Sequence, residues 1–349
     1  MSRDRAARVL GVQRLVEAAR RLAADHASIA PAIARETGLS PEGVELAFAR
    51  HLETEPRDED VGALVDGAGD APHVAVILSA NVFVAALRAL AIARAASDSV
   101  VVRPSRRAPT FARALVACAA DPSIRLVPDL DVALLPPGEV HVYGRDETVA
   151  AVRARARAST ELRVVGHGAG MGVALVSARA EHPSAAAALA EDVVAFDQRG
   201  CLSPRIALVV GDAARAAAFA RALDDALDDA ARRVPRGPLD DDERAASTRY
   251  VTTMAFAGHV HSAHTHAVGV GRAGAPLTLP PPGRHVHVVP VEGPYAARAL
   301  LVPLERFVVT VGSDDPALAA ALAPTHARLA ALGQMQRPPL DGPVDRRPG

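Results

Sequence analysis

The sequence predicts an α/β protein of two domains, and three observations lead to that prediction. Half of the 349 residues are hydrophobic and 23% are charged, so the chain can bury substantial cores. At about 150 residues per domain, the length fits two domains. From Pro72 onward, short β-branched runs alternate with alanine-rich stretches of helical length. This alternation is typical of parallel sheets covered by helices on both faces, with ligands bound beyond the carboxyl ends of the strands.

The first half is predicted to begin with a helical segment over residues 1–60. Its last helix has Ser40 as N-cap and Pro41 in the first turn. After this segment we predict strand Val74–Leu78, helix Val82–Ala96, strand Ser99–Arg103, helix Pro109–Ala120, strands Ile124–Val127 and Val140–Tyr143, helix Asp146–Ala156 and strand Leu162–Val165.

The second half follows the same style less regularly. We predict strand Val173–Val176, helix Ala185–Val194, strand Ile206–Val210, helix Asp212–Arg233, a helix ending near Thr252, and strands His285–Val291 and Arg306–Val311. Residues 336–349, QRPPLDGPVDRRPG, contain four prolines and no apolar period. They are predicted to be a disordered tail.

Charge and composition exclude several classes of protein. The net charge is −1 and no basic block is present, which argues against a nucleic-acid partner. Every cationic residue is arginine, so lysine-dependent Schiff-base and pyridoxal-phosphate enzymes are excluded. The longest apolar stretch, Val74–Ala96, is interrupted by Asn81, Arg88 and Arg94 and does not predict a membrane span. Two cysteines and a first segment without a signal-peptide core predict the reducing cytoplasm.

Cys201 is the candidate nucleophile. It lies in DQRGCLSP, a predicted turn between a helix and a strand, and Arg199 and Arg205 are close in sequence. Positive charge and backbone N–H groups would favour its thiolate. An inert thiol in a turn is the alternative. Cys118 falls on an apolar helix and is interpreted as a small buried hydrophobe.

Three motifs in order resemble the acyl-CoA reductases of the aldehyde dehydrogenase superfamily, in particular the LuxC-like branch. They are ILSANVFVAALRALAIARAASDSVVVRPSRRAP, GHGAGMGVALV and DQRGCLSP, and they span about residues 70–210. The resemblance implies an aldehyde dehydrogenase-like fold, with a Rossmann-type dinucleotide-binding domain over residues 61–160 and a second α/β catalytic domain over residues 161–335. The family's dinucleotide fold lacks a GxGxxG fingerprint, so its absence here is neutral.

The resemblance also implies roles for site residues. Cys201 would attack the thioester and expel coenzyme A. Asn81 would form an oxyanion hole with the backbone N–H of Cys201. Without the resemblance, Asn81 would be interpreted as a helix N-cap before Val82, and both roles are compatible.

The cofactor implied is NADPH, because the arginine cluster at 103, 106 and 107 suits a 2′-phosphate. A solvated basic loop is the alternative. Arg145 departs from the small hydroxyl residue usual in the family near the pyrophosphate. The residues that the resemblance places near the cofactor are Arg103, Pro104, Ser105, Arg106, Gly144, Arg145 and Gly168.

His167 occupies the position where hydrolytic aldehyde dehydrogenases have the glutamate that activates water. A reductase does not need that water. The imidazole could assist Cys201 or protonate the leaving thiol, since its unperturbed pKa is about 6.5. A structural histidine beside a glycine-rich turn is the alternative. The histidines of GHVHSAHTHAVG lack a zinc-site pattern and are interpreted as hydrogen-bonded loop residues rather than as a metal site.

The predicted function is reduction of an acyl-CoA thioester to the aldehyde with NADPH through a cysteine acyl-enzyme. One alternative is an aldehyde dehydrogenase acting toward the acid, which the absent glutamate base disfavours. Another is a degenerate, non-catalytic scaffold subunit, because the chain is short for the superfamily and Glu292 is a poor candidate for the family's cofactor-contacting glutamate. The expected partners are the acyl-CoA substrate and either further copies of the chain or an acyl-activating enzyme.

Overall fold

A computed structural model describes residues 4–157 and 161–347 and contains two β-sheets. The helices are α1 Arg5–Ala24, α2 Ala30–Thr37, α3 Pro41–Leu46, α4 Asp58–Gly67, α5 Ala85–Ala96, α6 Thr110–Ala119, α7 Asp146–Ala156, α8 His182–Val194, α9 Ala213–Arg233, α10 Asp241–Ala257, α11 Pro294–Leu301 and α12 Pro316–Leu322. The strands are β1 Val74–Ile77, β2 Val100–Arg103, β3 Ile124–Leu126, β4 Gly138–Tyr143, β5 Leu162–His167, β6 Met171–Val176, β7 Pro204–Val210, β8 His259–Ser262, β9 Ala267–Val270, β10 His285–Val291, β11 Val308–Ser313 and β12 Arg328–Ala331.

The first sheet is parallel and has the strand order β3-β2-β1-β4-β5. One face is covered by α1, α5 and α6, and Leu15, Leu87 and Leu115 are fully buried there. The other face packs against α7 through Val140 and Val142. Because parallel strands with both faces covered are uniformly apolar, the short valine-rich runs are buried as predicted.

The second sheet has the order β12-β11-β6-β7-β10-β9-β8 and is parallel except for the pair β8–β9. Helices α8 and α9 cover one face, and α11 and α12 cover the other. No helix in the described residues is long and apolar enough to cross a membrane.

The N-terminal helices are part of the first half rather than a separate lead-in. Helix α1 packs along α5 and α6. Ser40 caps α3 as predicted, since its Oγ accepts a hydrogen bond from the N–H of Gly43 at 3.0 Å. Strand β5 belongs to the first sheet, so the chain changes sheets between His167 and Met171, after the boundary predicted at residue 160.

The segment predicted as a disordered tail is packed against the protein over its described residues 336–347, so that prediction is wrong. Leu340 is buried. Buried Arg88 donates to the carbonyls of Pro338, Pro339 and Gly342 at 2.6–2.8 Å and pairs with Glu53. Proline-rich composition could not reveal this, because the donor that orders the tail lies on α5, some 250 residues earlier in the chain.

Candidate active site

Cys201 lies in the turn between the 3₁₀ segment Ala195–Gln198 and β7. The backbone of this segment is left-handed at Asp197 and Gln198, with φ of 49° and 64°. Such a conformation costs non-glycine residues free energy and persists only where the surroundings hold it.

Buried polar side chains hold the turn. The amide of Gln198 donates to the carbonyls of Pro204 and His285 at 2.6 and 2.7 Å, and its oxygen accepts from the N–H of His285. Asp197 accepts from Arg284 at 2.9 Å and from the N–H of Gly237 at 3.0 Å. The first two residues of DQRGCLSP therefore fix the position of the cysteine, a role that the sequence analysis missed.

Two other loops meet this turn at glycines. A Cβ at Gly200 would lie 3.3 Å from Cγ2 of Val82, the residue after Asn81. A Cβ at Gly170 would lie 3.3 Å from Cβ of Cys201 and 2.4 Å from Val309. Only glycine allows this approach at position 170. The loops that follow β1 and β5 thus converge on Cys201.

The electrostatic environment of Cys201 differs from the one expected. Burial first and the carboxylate of Asp345 second raise the pKa of its thiol to about 11, against the smaller lowering effects of Arg347 and Arg88. Arg199 instead bonds Glu243 at 3.2 Å, and Arg205 is directed to a backbone carbonyl. The expectation that these two arginines favour the thiolate is therefore wrong, because proximity in sequence did not translate into proximity to the sulfur.

The C-terminal segment supplies the charges near the thiol. Arg347 donates to the carbonyls of Ala169 and Arg306 at 2.7 and 2.8 Å and pairs with Asp345 at 2.6 Å. This clamps the segment onto the connection between β5 and β6, next to Cys201. Nothing in the composition of the tail indicated this.

Asn81 is exposed in the loop between β1 and α5. Helix α5 begins only at Ala85, with Val84 at its N-cap and no side-chain capping bond. The N-cap interpretation of Asn81 is therefore wrong, and its amide is not committed to the helix.

His167 ends β5, and its ring stacks on Tyr143 with centroids 4.2 Å apart. Burial lowers the pKa of His167 to about 4, so the imidazole is neutral at physiological pH. It can accept a proton there. It has no proton to donate as an imidazolium. Of the two roles considered from the sequence, it can assist Cys201 but cannot protonate the leaving thiol.

The predicted cofactor residues gather at the carboxyl edge of the first sheet. Arg103 ends β2, and Gly144 and Arg145 follow β4, with β1 between these strands. Burial and neighbouring Arg106 lower the pKa of Arg103. Arg106 is exposed and pairs with Asp129 at 3.3 Å.

The other residues expected near the cofactor have local structural roles. Pro104 is buried, and Oγ of Ser105 accepts from the N–H of Arg107 at 3.2 Å. A Cβ at Gly168 would lie 2.3 Å from Oδ1 of Asp146. That carboxylate accepts from the N–H of Ala169 at 2.8 Å and connects the start of α7 to the loop after β5.

The histidine-rich stretch forms β8 and β9. His266 is buried and contacts Asp224 at 2.9 Å. Within residues 4–157 and 161–347, no group of three or more ligating side chains could hold a metal ion.

Solved structures share this fold. The NAD-dependent benzaldehyde dehydrogenase of Corynebacterium glutamicum is 15% identical over 94% of this chain and 80% of its own, with a TM-score of 0.69. The gamma-glutamyl-gamma-aminobutyraldehyde dehydrogenase of Burkholderia cenocepacia J2315 is 14% identical over 94% and 76%, with a TM-score of 0.73. A Mycobacterium tuberculosis aldehyde dehydrogenase complexed with NAD⁺ is 14% identical over 94% and 78%, with a TM-score of 0.66. The architecture is thus the aldehyde dehydrogenase fold.

A family model described as acyl-CoA reductase (LuxC) matches residues 69–342. No curated protein matches the sequence. The matched range contains both sheets and all three loops that meet at Cys201.

Proposed function

The chain belongs to the LuxC family of acyl-CoA reductases, and from that membership we propose that it reduces an acyl-CoA thioester to the aldehyde with NADPH through an acyl-enzyme on Cys201. Aldehyde-related redox chemistry follows from the family and the fold. The nucleophile, the cofactor and the site residues are the proposal. The observation that carries it is the convergence of the loops after β1 and β5 on the Cys201 turn.

The acylation step uses three groups. The neutral thiol of Cys201 gives its proton to an acceptor, for which neutral His167 is the candidate. The sulfur then bonds to the thioester carbonyl carbon, and the oxyanion that forms accepts hydrogen bonds from the amide of Asn81 and the N–H of Cys201. Each such donor contributes about 3 to 4 kcal/mol to stabilising the transition state. Collapse of the tetrahedral intermediate breaks the bond to the sulfur of coenzyme A, which leaves as the thiolate.

The residues at the carboxyl edge of the first sheet fit a phosphate-bearing nicotinamide cofactor in part. Arg103 is half-buried and forms no ion pair in the described part of the chain, so its guanidinium can receive a phosphate. The first turn of α7 contains Asp146 and Glu147, which oppose a second phosphate at that helix end. Arg103, with Arg145 at the N-cap of α7, would therefore hold the cofactor, which supplies a hydride to the acyl carbon when bound.

His167 also supports reduction rather than hydrolysis. Burial lowers the pKa of His167 to about 4, whereas burial at the same place would raise the pKa of a carboxylate, so the imidazole is the weaker base of the two. The acyl-enzyme would therefore persist long enough to be reduced.

The test is to incubate the protein with acyl-CoAs and NADPH and to follow nicotinamide absorbance and aldehyde together. Cys201→Ser should abolish turnover and acyl transfer, whereas Cys118→Ser, the matched control, should retain both. An aldehyde dehydrogenase would release acid instead, and a scaffold subunit would not be acylated. Acyl transfer to Cys118, or unchanged acylation of Cys201→Ser, would overturn the proposal.

A further inference from the structure

Arg347 uses all the N–H groups of its guanidinium within the protein. Nε and Nη2 donate to the two carboxylate oxygens of Asp345 at 2.7 and 2.6 Å. Nη1 donates to the carbonyls of Ala169 and Arg306 at 2.7 and 2.8 Å, and Nη2 also donates to the carbonyl of Gly168 at 3.5 Å. A guanidinium has five N–H donors and no acceptor, so this side chain has none left for a substrate.

These bonds join the loop between β5 and β6 to the segment that precedes β11. Both meet at Gly170, where a Cβ would lie 3.3 Å from Cβ of Cys201 and 2.4 Å from Cγ2 of Val309 in β11. The same Cβ would lie 3.6 Å from Nη2 of Arg347. The guanidinium and the nucleophile therefore border the same glycine, and Arg347 fixes the backbone that lies against the nucleophile.

The C-terminal segment that carries Arg347 is held in place by other side chains. Arg88 and Arg328 donate to carbonyls of residues 338–344 at 2.6–3.3 Å. Just before the segment, the buried carboxylate of Asp192 accepts from two backbone N–H groups at 2.6 and 2.9 Å. Because none of these bonds involves Arg347, the segment should stay bound when Arg347 is replaced, and the effect of replacement should be local.

We propose that Arg347 is a positioning residue for acylation, which holds the loop after β5 against Cys201 without touching the substrate. The inference rests on the proposed function and adds a residue to its site. The two loop carbonyls that Arg347 binds follow directly after His167, the candidate proton acceptor. Movement of this loop would therefore displace His167 from the sulfur, and a misplacement of about 1 Å can slow a reaction about 10²-fold.

Charge and geometry can be separated by substitution. The positive charge of Arg347 lowers the pKa of the Cys201 thiol, as does that of Arg88, whereas Asp345 raises it. Lysine retains the charge but lacks the planar fork that reaches a carboxylate and two carbonyls at once. Arg347→Lys should therefore lose the positioning while retaining most of the electrostatic effect.

The experiment measures loop mobility and acyl transfer in the same proteins. Hydrogen–deuterium exchange with mass spectrometry reports on the amides of residues 168–171, and acylation of Cys201 by butanoyl-CoA and by tetradecanoyl-CoA is followed by intact mass. Arg347→Lys should exchange these amides faster and become acylated about ten-fold or more slowly. Arg347→Ala should show the same changes, and millimolar guanidinium ion should partly reverse them.

The matched control is Arg346→Lys, the same substitution at the neighbouring exposed arginine, which pairs with Asp341 at 2.8 Å. It should leave exchange and acylation unchanged. Equal exchange of the loop in the wild type and in both Arg347 variants overturns the inference, and so does faster exchange with unchanged acylation. Faster exchange where even the wild type is not acylated would remove the proposed function and leave the placement of the loop by Arg347 standing. Acylation of the wild type with equal exchange would do the reverse.

Discussion

Tyr143 and His167 stack face to face across β4 and β5, with ring planes 8° from parallel. Burial raises the pKa of Tyr143 and lowers that of His167 to about 4, so both rings are uncharged at neutral pH. The charges that act on Cys201 therefore come from Asp345, Arg347 and Arg88 rather than from its ring neighbours. The protonation of the thiol therefore depends on the C-terminal segment, which carries Asp345 and Arg347.

Replacing Asp345 with asparagine should make Cys201 more reactive. The carboxylate raises the pKa of the thiol, so its removal should lower that pKa and increase the thiolate fraction near neutral pH. A fall of one pKa unit gives about ten times more thiolate. We expect alkylation by iodoacetamide at pH 8 to accelerate about three- to ten-fold, measured by intact mass with the site assigned by peptide mapping.

Asp66→Asn is the control for this effect, because it removes a surface carboxylate that pairs with Arg5 and should leave the alkylation rate unchanged. An unchanged or slower rate in Asp345→Asn would show that Asp345 does not set the state of the thiol.

Cofactor choice should depend on Arg103 more than on Arg106. Arg103 is half-buried without an ion-pair partner in the described residues, whereas Arg106 is shared with Asp129. Arg103→Ala should weaken NADPH binding about ten-fold or more relative to NADH, since a charge-assisted hydrogen bond contributes about 1.5 to 3 kcal/mol. Asp129→Asn should strengthen NADPH binding, because it frees Arg106. Fluorescence titration measures the affinities of the wild type and of both variants for NADPH and for NADH.

Arg155→Ala, which changes an arginine in the last turn of α7, should alter neither affinity. Equal losses for NADPH and NADH in Arg103→Ala would remove the 2′-phosphate argument.

Local patterns predicted most of the fold. The sequence predicts a strand at Ser99–Arg103, and β2 lies at Val100–Arg103, because a run of valines between alanine-rich helices is buried most readily as a strand of the covered sheet. Helix α5 was expected from Val82 and begins at Ala85. Its N-cap residue is Val84, which cannot form a side-chain capping bond. The sequence therefore has no capping signal for the start of this helix, and the apolar periodicity alone predicts a start that is too early.

The candidate site was also predictable only in part. Cys201, Asn81 and His167 each lie in a short motif, and these motifs lie in the loops that converge in the structure. Asp345 and Arg347 could not be found, because their influence on Cys201 depends on a segment that returns to the first sheet after passing through the second. Composition describes the tail, but the hydrogen bonds of buried Arg88 and of Arg347 explain why it is ordered.

Acid should destabilise the fold well above pH 4. Burial lowers the pKa values of His51, His167, His285 and His287 to about 4. Between about pH 6.5 and pH 4 the unfolded chain therefore binds more protons than the folded one, and stability falls as the pH falls. Asp192, whose pKa burial raises to about 7, acts in the opposite direction but is a single group. We expect the Tm to decrease steadily from pH 7 to pH 5.

His287→Gln should make the Tm depend less on pH, because it removes one of these titrating side chains. The glutamine oxygen can still accept from the N–H of Thr278, which in the wild type donates to Nδ1 of His287 at 3.0 Å. Circular dichroism melting at half-unit pH steps measures both proteins. A Tm that is constant across this range would contradict the expected burial of neutral histidines.

The acyl-enzyme should hydrolyse slowly because of His167, and a substitution at position 167 should make it hydrolyse faster. The imidazole ends β5, and burial keeps it uncharged and weakly basic. The loop that follows leads directly to Gly170, against Cys201. The burial that lowers the pKa of His167 would raise that of a glutamate at position 167, so the substitution introduces a stronger base beside the acylated sulfur, where general-base catalysis typically contributes about 10²-fold or more. We expect isolated wild-type acyl-enzyme to hydrolyse slowly without NADPH and His167→Glu to release fatty acid at least ten times faster. His167→Gln, similar in size but unable to act as a base, should hydrolyse as slowly as wild type. Released acid is quantified by mass spectrometry after removal of free thioester. Fast hydrolysis of the wild-type acyl-enzyme, or equal rates for the glutamate and glutamine variants with acylation intact, would show that His167 does not occupy the position of the base and has only a structural role in its stack with Tyr143.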